Sequence, residues 1–258
     1  MRQSIDLTIQ SCMPPAPPVL DEHTLRVQLA ATYRLIDKFG MSDLVDTHIS
    51  VRLPGEEAFL FNPYGMMFHE ITASSLIKVD LQGNTVEQGD GIANPAGFVI
   101  HSAIHAARQD ITCVLHTHSR YGTAVSLLEC GLLPVSQFAL QFYQQVSYHD
   151  YEGVSLELAE RQRLVADLGD RKVMIMRNHG LLTLGRTLPE AFILMYYLEK
   201  SCEIQILAQS SGSQLITPPA AVCAKSAQQQ DINMENLGQL QWGALLRLLD
   251  RDDPSYRN

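Results

Sequence analysis

The chain has 258 residues, 46% of them hydrophobic, with a formal net charge of −9. That length suits one large domain or two small ones with a core of their own, so neither disulfide nor structural metal is needed merely to fold. Charged residues make up only 18%, which points to surface hidden between subunits, and nowhere do Lys and Arg cluster as a nucleic-acid partner would require.

No apolar run reaches the roughly 18 residues of a membrane span. The five cysteines, Cys12, Cys113, Cys130, Cys202 and Cys223, are scattered without a Cys-x-x-Cys pair. That is the usage of a reducing compartment, where such residues pack as small hydrophobes. Residues 1–20 contain no continuous apolar segment, and Pro14-Pro15-Ala16-Pro17-Pro18 breaks any signal-peptide pattern. A soluble cytoplasmic protein is expected, with neither membrane nor nucleic acid as partner.

In chain order, residues 1–20 read as a proline-rich arm. A helix is predicted from Glu22 to Phe39, with Leu25, Leu29 and Ile36 on one stripe and Gly40 as its stop. Strand-like alternation follows between His48 and Gly65, with Pro54-Gly55 as a turn. Thr72 to Ser75 form a helical turn leading into a strand, Leu76 to Asp80, closed by the turn Gln82-Gly83-Asn84. A helix over Gly97–Arg108 feeds a buried strand, Ile111–Leu115, and a further helix spans Arg120 to Cys130. Residues 155–168 give another helix, Lys172–Met176 a second buried strand, and Leu181–Leu184 a third. Pro189 sits in the first turn of a long helix reaching Ser211, a position that proline tolerates. Residues 21–211 thus form one α/β domain, and 212–258 a polar tail with a short amphipathic piece, Leu240 to Leu249.

The informative residues are histidines. His116 and His118 end a buried strand two residues apart, and positions i and i+2 of a strand share a face. His179 ends a second buried strand, immediately before Gly180. Three imidazoles converging from strand ends would leave an open position on a catalytic Zn2+, and Co, Ni or Mn would fit the same nitrogen ligands. The alternative is three packed histidines on strands that are not neighbours.

The stretch from Leu25 to Ser211 resembles the class II aldolase/adducin family, through Leu115-His116-Thr117-His118 and Arg177-Asn178-His179-Gly180. The resemblance implies an α/β fold with a central, mostly antiparallel sheet covered by helices, metal ligands at His116, His118 and His179, and a homotetramer. Within the family the chain is more similar to adducin head domains, as in Asn62-Pro63-Tyr64-Gly65, Glu70-Ile71-Thr72-Ala73-Ser74-Ser75-Leu76 and Tyr148-His149-Asp150-Tyr151. It lacks the basic adducin tail and keeps His118, which animal adducins tend to lose.

The resemblance also marks absences. The Ser-Ser-Glu that binds phosphate and carries the proton in sugar-phosphate aldolases aligns with Pro95-Ala96-Gly97, and the Gly-Asn pair with Thr47-His48. Proline, alanine and glycine offer no side-chain donor or titrating group. The catalytic residue is thereby left open, with His101, Tyr148, His149 and Asp150 as candidates, each also explicable as packing. Two functions follow as expectations: a zinc-dependent lyase or isomerase on a small, unphosphorylated hydroxy-carbonyl compound, or a non-catalytic adducin-like assembly module with a vestigial or structural metal. Restoring a carboxylate by Gly97→Glu is expected to place it beside the metal.

Overall fold

A computed structural model describes residues 20–86, 91–154, 159–234 and 236–258. Its centre is a seven-stranded sheet in the order β3-β2-β1-β4-β7-β6-β5. The strands are β1 (His48–Arg52), β2 (Ala58–Phe61), β3 (Ile77–Asp80), β4 (Cys113–Thr117), β5 (Val146–His149), β6 (Val173–Met176) and β7 (Gly180–Gly185). Every pairing is antiparallel except β5 with β6. The fold is therefore the α/β, mostly antiparallel arrangement that the resemblance implied.

Helices cover both faces, and the two-residue period of β4 says why. Cys113 and Leu115 point into the larger core, shared with α1 (Glu22–Lys38) and α6 (Leu188–Ser210). Val114 points the other way, into a core with Ile100 and Ile104 of α2 (Pro95–Ala107) and Leu164 and Leu168 of α5 (Glu160–Leu168). α1 starts where Asp21 accepts a hydrogen bond from the Thr24 amide, and α6 where Thr187 does the same for Glu190, with Pro189 in its first turn.

The smaller elements depart from expectation. The helix predicted over Arg120–Cys130 closes at Ser126 (α3, Arg120–Ser126), because the Leu127 and Leu128 amides turn back onto Ala124 and Val125. The start of the helix expected over residues 155–168 lies partly outside the described residues, as does all but the last residue of the arm. Among the α-helices and strands, three were not anticipated: α4 (Gln137–Leu140), α7 (Ala220–Gln229) and β5. The amphipathic piece becomes α8 (Gln239–Asp252), with Trp242 set 6.4 Å from Phe192 of α6. The chain end docks as well: Tyr256 is fully buried, and its carbonyl accepts from the Ala73 amide. Among the described residues, no helix is long and apolar enough to cross a membrane.

Candidate metal centre

β4 is the central strand, and its C-terminal end carries the site. His116 and His118 leave it on the face toward α2, in keeping with the two-residue period. Pairing places His48 of β1 opposite His116, and Leu181 of β7 opposite Thr117. His179 sits in the tight connection from β6 to β7, where its amide donates to the Met176 carbonyl. Asn178 holds a left-handed φ of 57°, a conformation asparagine tolerates better than most residues. Gly180 is needed beside it, since a Cβ there would overlap the Thr117 carbonyl.

One ring nitrogen from each of His116, His118 and His179 falls within 4.8 Å of the others. His116 Nδ1 lies 2.9 Å from the Leu181 carbonyl oxygen, an acceptor, so this nitrogen is the protonated one and Nε2 keeps its lone pair. That Nε2 is buried and has no hydrogen-bond partner. His118 Nδ1 lies 3.0 Å from Asp43 Oδ2, which likewise fixes its tautomer, and its Nε2 faces His179 Nε2 at 2.9 Å. An orphaned, inward-facing lone pair beside two further imidazole nitrogens is the donor set a divalent ion takes, with carbonyl and carboxylate partners behind the rings. Burial, reinforced by the neighbouring imidazoles, pushes His116 well below the usual histidine range and His179 down to about 4. Both rings therefore stay neutral at physiological pH.

The cluster opens into a cleft of about 770 Å³, whose lining includes Asp43, His48, Tyr64, Arg120 and Tyr151. Its floor is strained. In the Asp43–His48 loop, Leu44 (φ 47°) and Thr47 (φ 72°) are left-handed without being glycine, and buried Thr47 Oγ1 has no partner.

None of the four candidate catalytic residues lines this cleft. His101 is buried under α2, 2.8 Å from His48 and 2.6 Å from Ser50. The Tyr148 hydroxyl accepts from the Leu132 amide, with the Arg177 guanidinium 4.3 Å over its ring. His149 is buried between Asp167 at 2.7 Å and Glu160 at 3.5 Å. Asp150 is exposed beside Arg177 and Tyr151. The carboxylate expected from Gly97→Glu would not reach the cluster unhindered. A Cβ at position 97 overlaps the His48 ring, with Cγ and Nε2 at 2.7 Å.

Sequence reasoning missed Asp43 and Tyr151 as pocket residues and noticed Tyr64 only as the replacement, before Gly65, of a threonine that touches phosphate in the sugar-phosphate aldolases. For Asp43 the available signal was the stretch Ser42 to Thr47, with two Asp, directly before β1, which pairs with β4 and so must run past its end. His48 was noticed only as a replacement.

The profile of the class II aldolase and adducin N-terminal domain matches residues 27–206. A crystal structure of an aldolase II superfamily protein from Pseudomonas syringae superposes with a TM-score of 0.88 at 48% identity, over 97% of this chain and 99% of that one. An L-fuculose 1-phosphate aldolase from Glaciozyma antarctica superposes with a TM-score of 0.81 at 30% identity, over 94% and 97%. Rat alpha-adducin is 42% identical over 246 residues, which cover 89% of this chain but 33% of the adducin.

Proposed function

The chain belongs to the class II aldolase and adducin N-terminal domain family, and on that premise we propose that it is a zinc-dependent lyase or isomerase acting on a small, unphosphorylated hydroxy-carbonyl compound. The observation that carries the reading is the buried, unpartnered Nε2 of His116 facing His118 and His179. These three residues would hold Zn2+, or Co, Ni or Mn in its place. Such an ion polarises a carbonyl and stabilises the negative charge that develops beside it.

The chain's own residues do the rest. The Leu181 carbonyl and the Asp43 carboxylate lock two rings in the tautomers that present Nε2. Tyr64, Tyr151 and Val154 wall the cleft and restrict water, and Arg120 contributes its positive charge. Pro95 and Ala96 line the same cleft without a side-chain donor for phosphate, which favours an unphosphorylated substrate. Proton transfer falls to a titratable group of the lining rather than to His101, Tyr148, His149 or Asp150.

Metal content tests the first half: purified wild type should carry one divalent ion per subunit, and His116→Ala should lose it. Exchange of the dihydroxyacetone C–H protons in D2O tests the second. It should require the metal and vanish in His116→Ala. A metal content unchanged by the substitution sinks the ligand assignment. Metal without any exchange leaves the second reading, a non-catalytic assembly module, which the similarity to alpha-adducin favours.

A further inference from the structure

Behind the cleft lies a buried line of polar groups that the reading above does not use. His48 Nδ1 is 2.8 Å from His101 Nε2, His101 Nδ1 is 2.6 Å from Ser50 Oγ, and Ser50 Oγ is 2.7 Å from His105 Nε2. At the inner end, His105 Nδ1 is buried without a partner, and the Arg52 guanidinium donates to the His105 carbonyl. At the outer end, His48 lines the cleft, and its Nε2 makes no hydrogen bond among the described residues.

Each link holds one proton and the serine hydroxyl supplies only one, so the line has two arrangements with every imidazole neutral. In the first, His48 Nδ1 donates inward, and the line ends in a buried N–H at His105 Nδ1 with nothing to receive it. In the second, His105 Nε2 donates to Ser50, Ser50 to His101 Nδ1, and His101 Nε2 to His48 Nδ1. The line then ends in a bare lone pair at His105 Nδ1. Buried N–H groups are rarely orphaned, whereas under-satisfied acceptors are tolerated more often. The positive charge of Arg52 beside His105 favours the lone pair as well.

We propose that His48 is a fixed hydrogen-bond donor of the cleft, its proton placed on Nε2 by the His105–Ser50–His101 line and offered to a carbonyl or hydroxyl oxygen of the ligand. The ring cannot swing away. It stacks on Phe61 and His116, at centroid distances of 5.7 and 5.0 Å, and occupies the space left by the missing side chain of Gly97. His48 is thus a ligand-contacting residue, and Ser50, His101 and His105 are positioning residues. The ligand contact rests on the metal-dependent reading; the tautomer does not.

The test begins with 15N-histidine-labelled, metal-free protein, with His48 assigned by the signal lost in His48→Gln. Nε2 protonated and Nδ1 bare is the expected state, and a proton on Nδ1 overturns the proposal. Ser50→Ala cuts the line and should return His48 to a mixture of tautomers; an unchanged His48 signal overturns the role of the line. His105→Gln keeps a donor toward Ser50 and should leave the His48 tautomer as in wild type, which checks the line through a gentler change. The second arm titrates zinc-loaded protein with dihydroxyacetone. His48→Ala should bind about tenfold more weakly, and His48→Gln, which keeps a donor near the Nε2 position, within about threefold of wild type. Equal binding by wild type and His48→Ala overturns the ligand contact, as does an absence of binding to zinc-loaded wild type. Zinc content, read separately on the same samples, reports on the metal reading: its absence from wild type overturns that reading and leaves the tautomer result standing.

Discussion

His101 and His105 sit one turn apart on the face of α2 that meets β1, both fully buried. Burial is the main cause that holds His101 well below the usual histidine range and lowers His105 to about 3; His48 beside the first and Arg52 beside the second push in the same direction. The sign follows from linkage. Below the ordinary value of 6.5, the unfolded chain takes up protons that the native state refuses, until the folded values are reached. Stability is therefore fully present above pH 6.5 and lost as pH falls toward 3. Each such histidine steepens the loss by up to about 1.4 kcal/mol per pH unit. Urea unfolding of metal-free protein should show the midpoint dropping between about pH 7 and about pH 5, and less steeply in His105→Gln. A midpoint flat across that range would contradict neutral burial of these rings. At this scale the sequence was legible where chemistry met periodicity: His116, His118 and His179 stand at the ends of apolar strands. It was silent on Asp43 and on the His48–His101 contact, because the partners are 75 and 53 residues apart in the chain and nothing local joins them.

Among the elements, α3 shows how the site is kept in register. Ser119 occupies its N-cap position but makes no capping bond to the helix. It donates instead to Glu199 of α6 at 2.6 Å, and the same carboxylate accepts from the Tyr121 and Gly122 amides at 3.0 and 2.7 Å. A side chain from another helix thus caps α3 directly after His118, and a negative charge at a helix N-terminus is favourable. Glu199→Ala would leave the hydroxyl and two amides without partners in a half-buried place, at a cost of about 2–3 kcal/mol. Thermal or urea unfolding should register that loss, with Glu199→Gln between mutant and wild type. A Glu199→Ala protein as stable as wild type would show that water replaces the carboxylate. The long or strongly patterned elements were read correctly from sequence, because α1, α6, β4 and β6 each bury a continuous stripe or run. β5 escaped because three of its four residues are only half-buried, so no apolar pattern marks it. α7 escaped because it buries only Cys223: Val222 faces outward at 49% exposure, and the remaining residues are Ala, Ser, Lys and Gln.

For the whole molecule, the sequence suggested a polar, broken tail after residue 211 with one amphipathic piece, and the structure shows how that polar segment is held. Arg34 pairs with Asp253 at 3.2 Å, the Ser74 amide donates to the Asn258 carbonyl, and Tyr256 closes the space beside α1. Charges that read as solvated are spent holding the chain end in place. The low charge fraction and the family resemblance together raised a second expectation, a homotetramer with the site near a subunit boundary, and the cleft's surroundings are in keeping with it. Leu44 and Val154 are 67% and 68% exposed, close to or on the wall of a cleft that Tyr64 and Tyr151 also border. Apolar groups gathered around one opening are more than scattered surface hydrophobes, and a second subunit would cover them. Leu44 separates assembly from stability. Its left-handed φ of 47° strains leucine, while asparagine adopts that conformation readily. Leu44→Asn should therefore unfold no more easily than wild type, yet weaken association. Light scattering at micromolar concentration should give wild type about four times the 28.7 kDa chain mass and shift Leu44→Asn to smaller species. A wild-type mass of one chain would remove the assembly from the proposal. A tetramer indifferent to Leu44→Asn would place the contact on another face of the molecule and leave the cleft open to solvent.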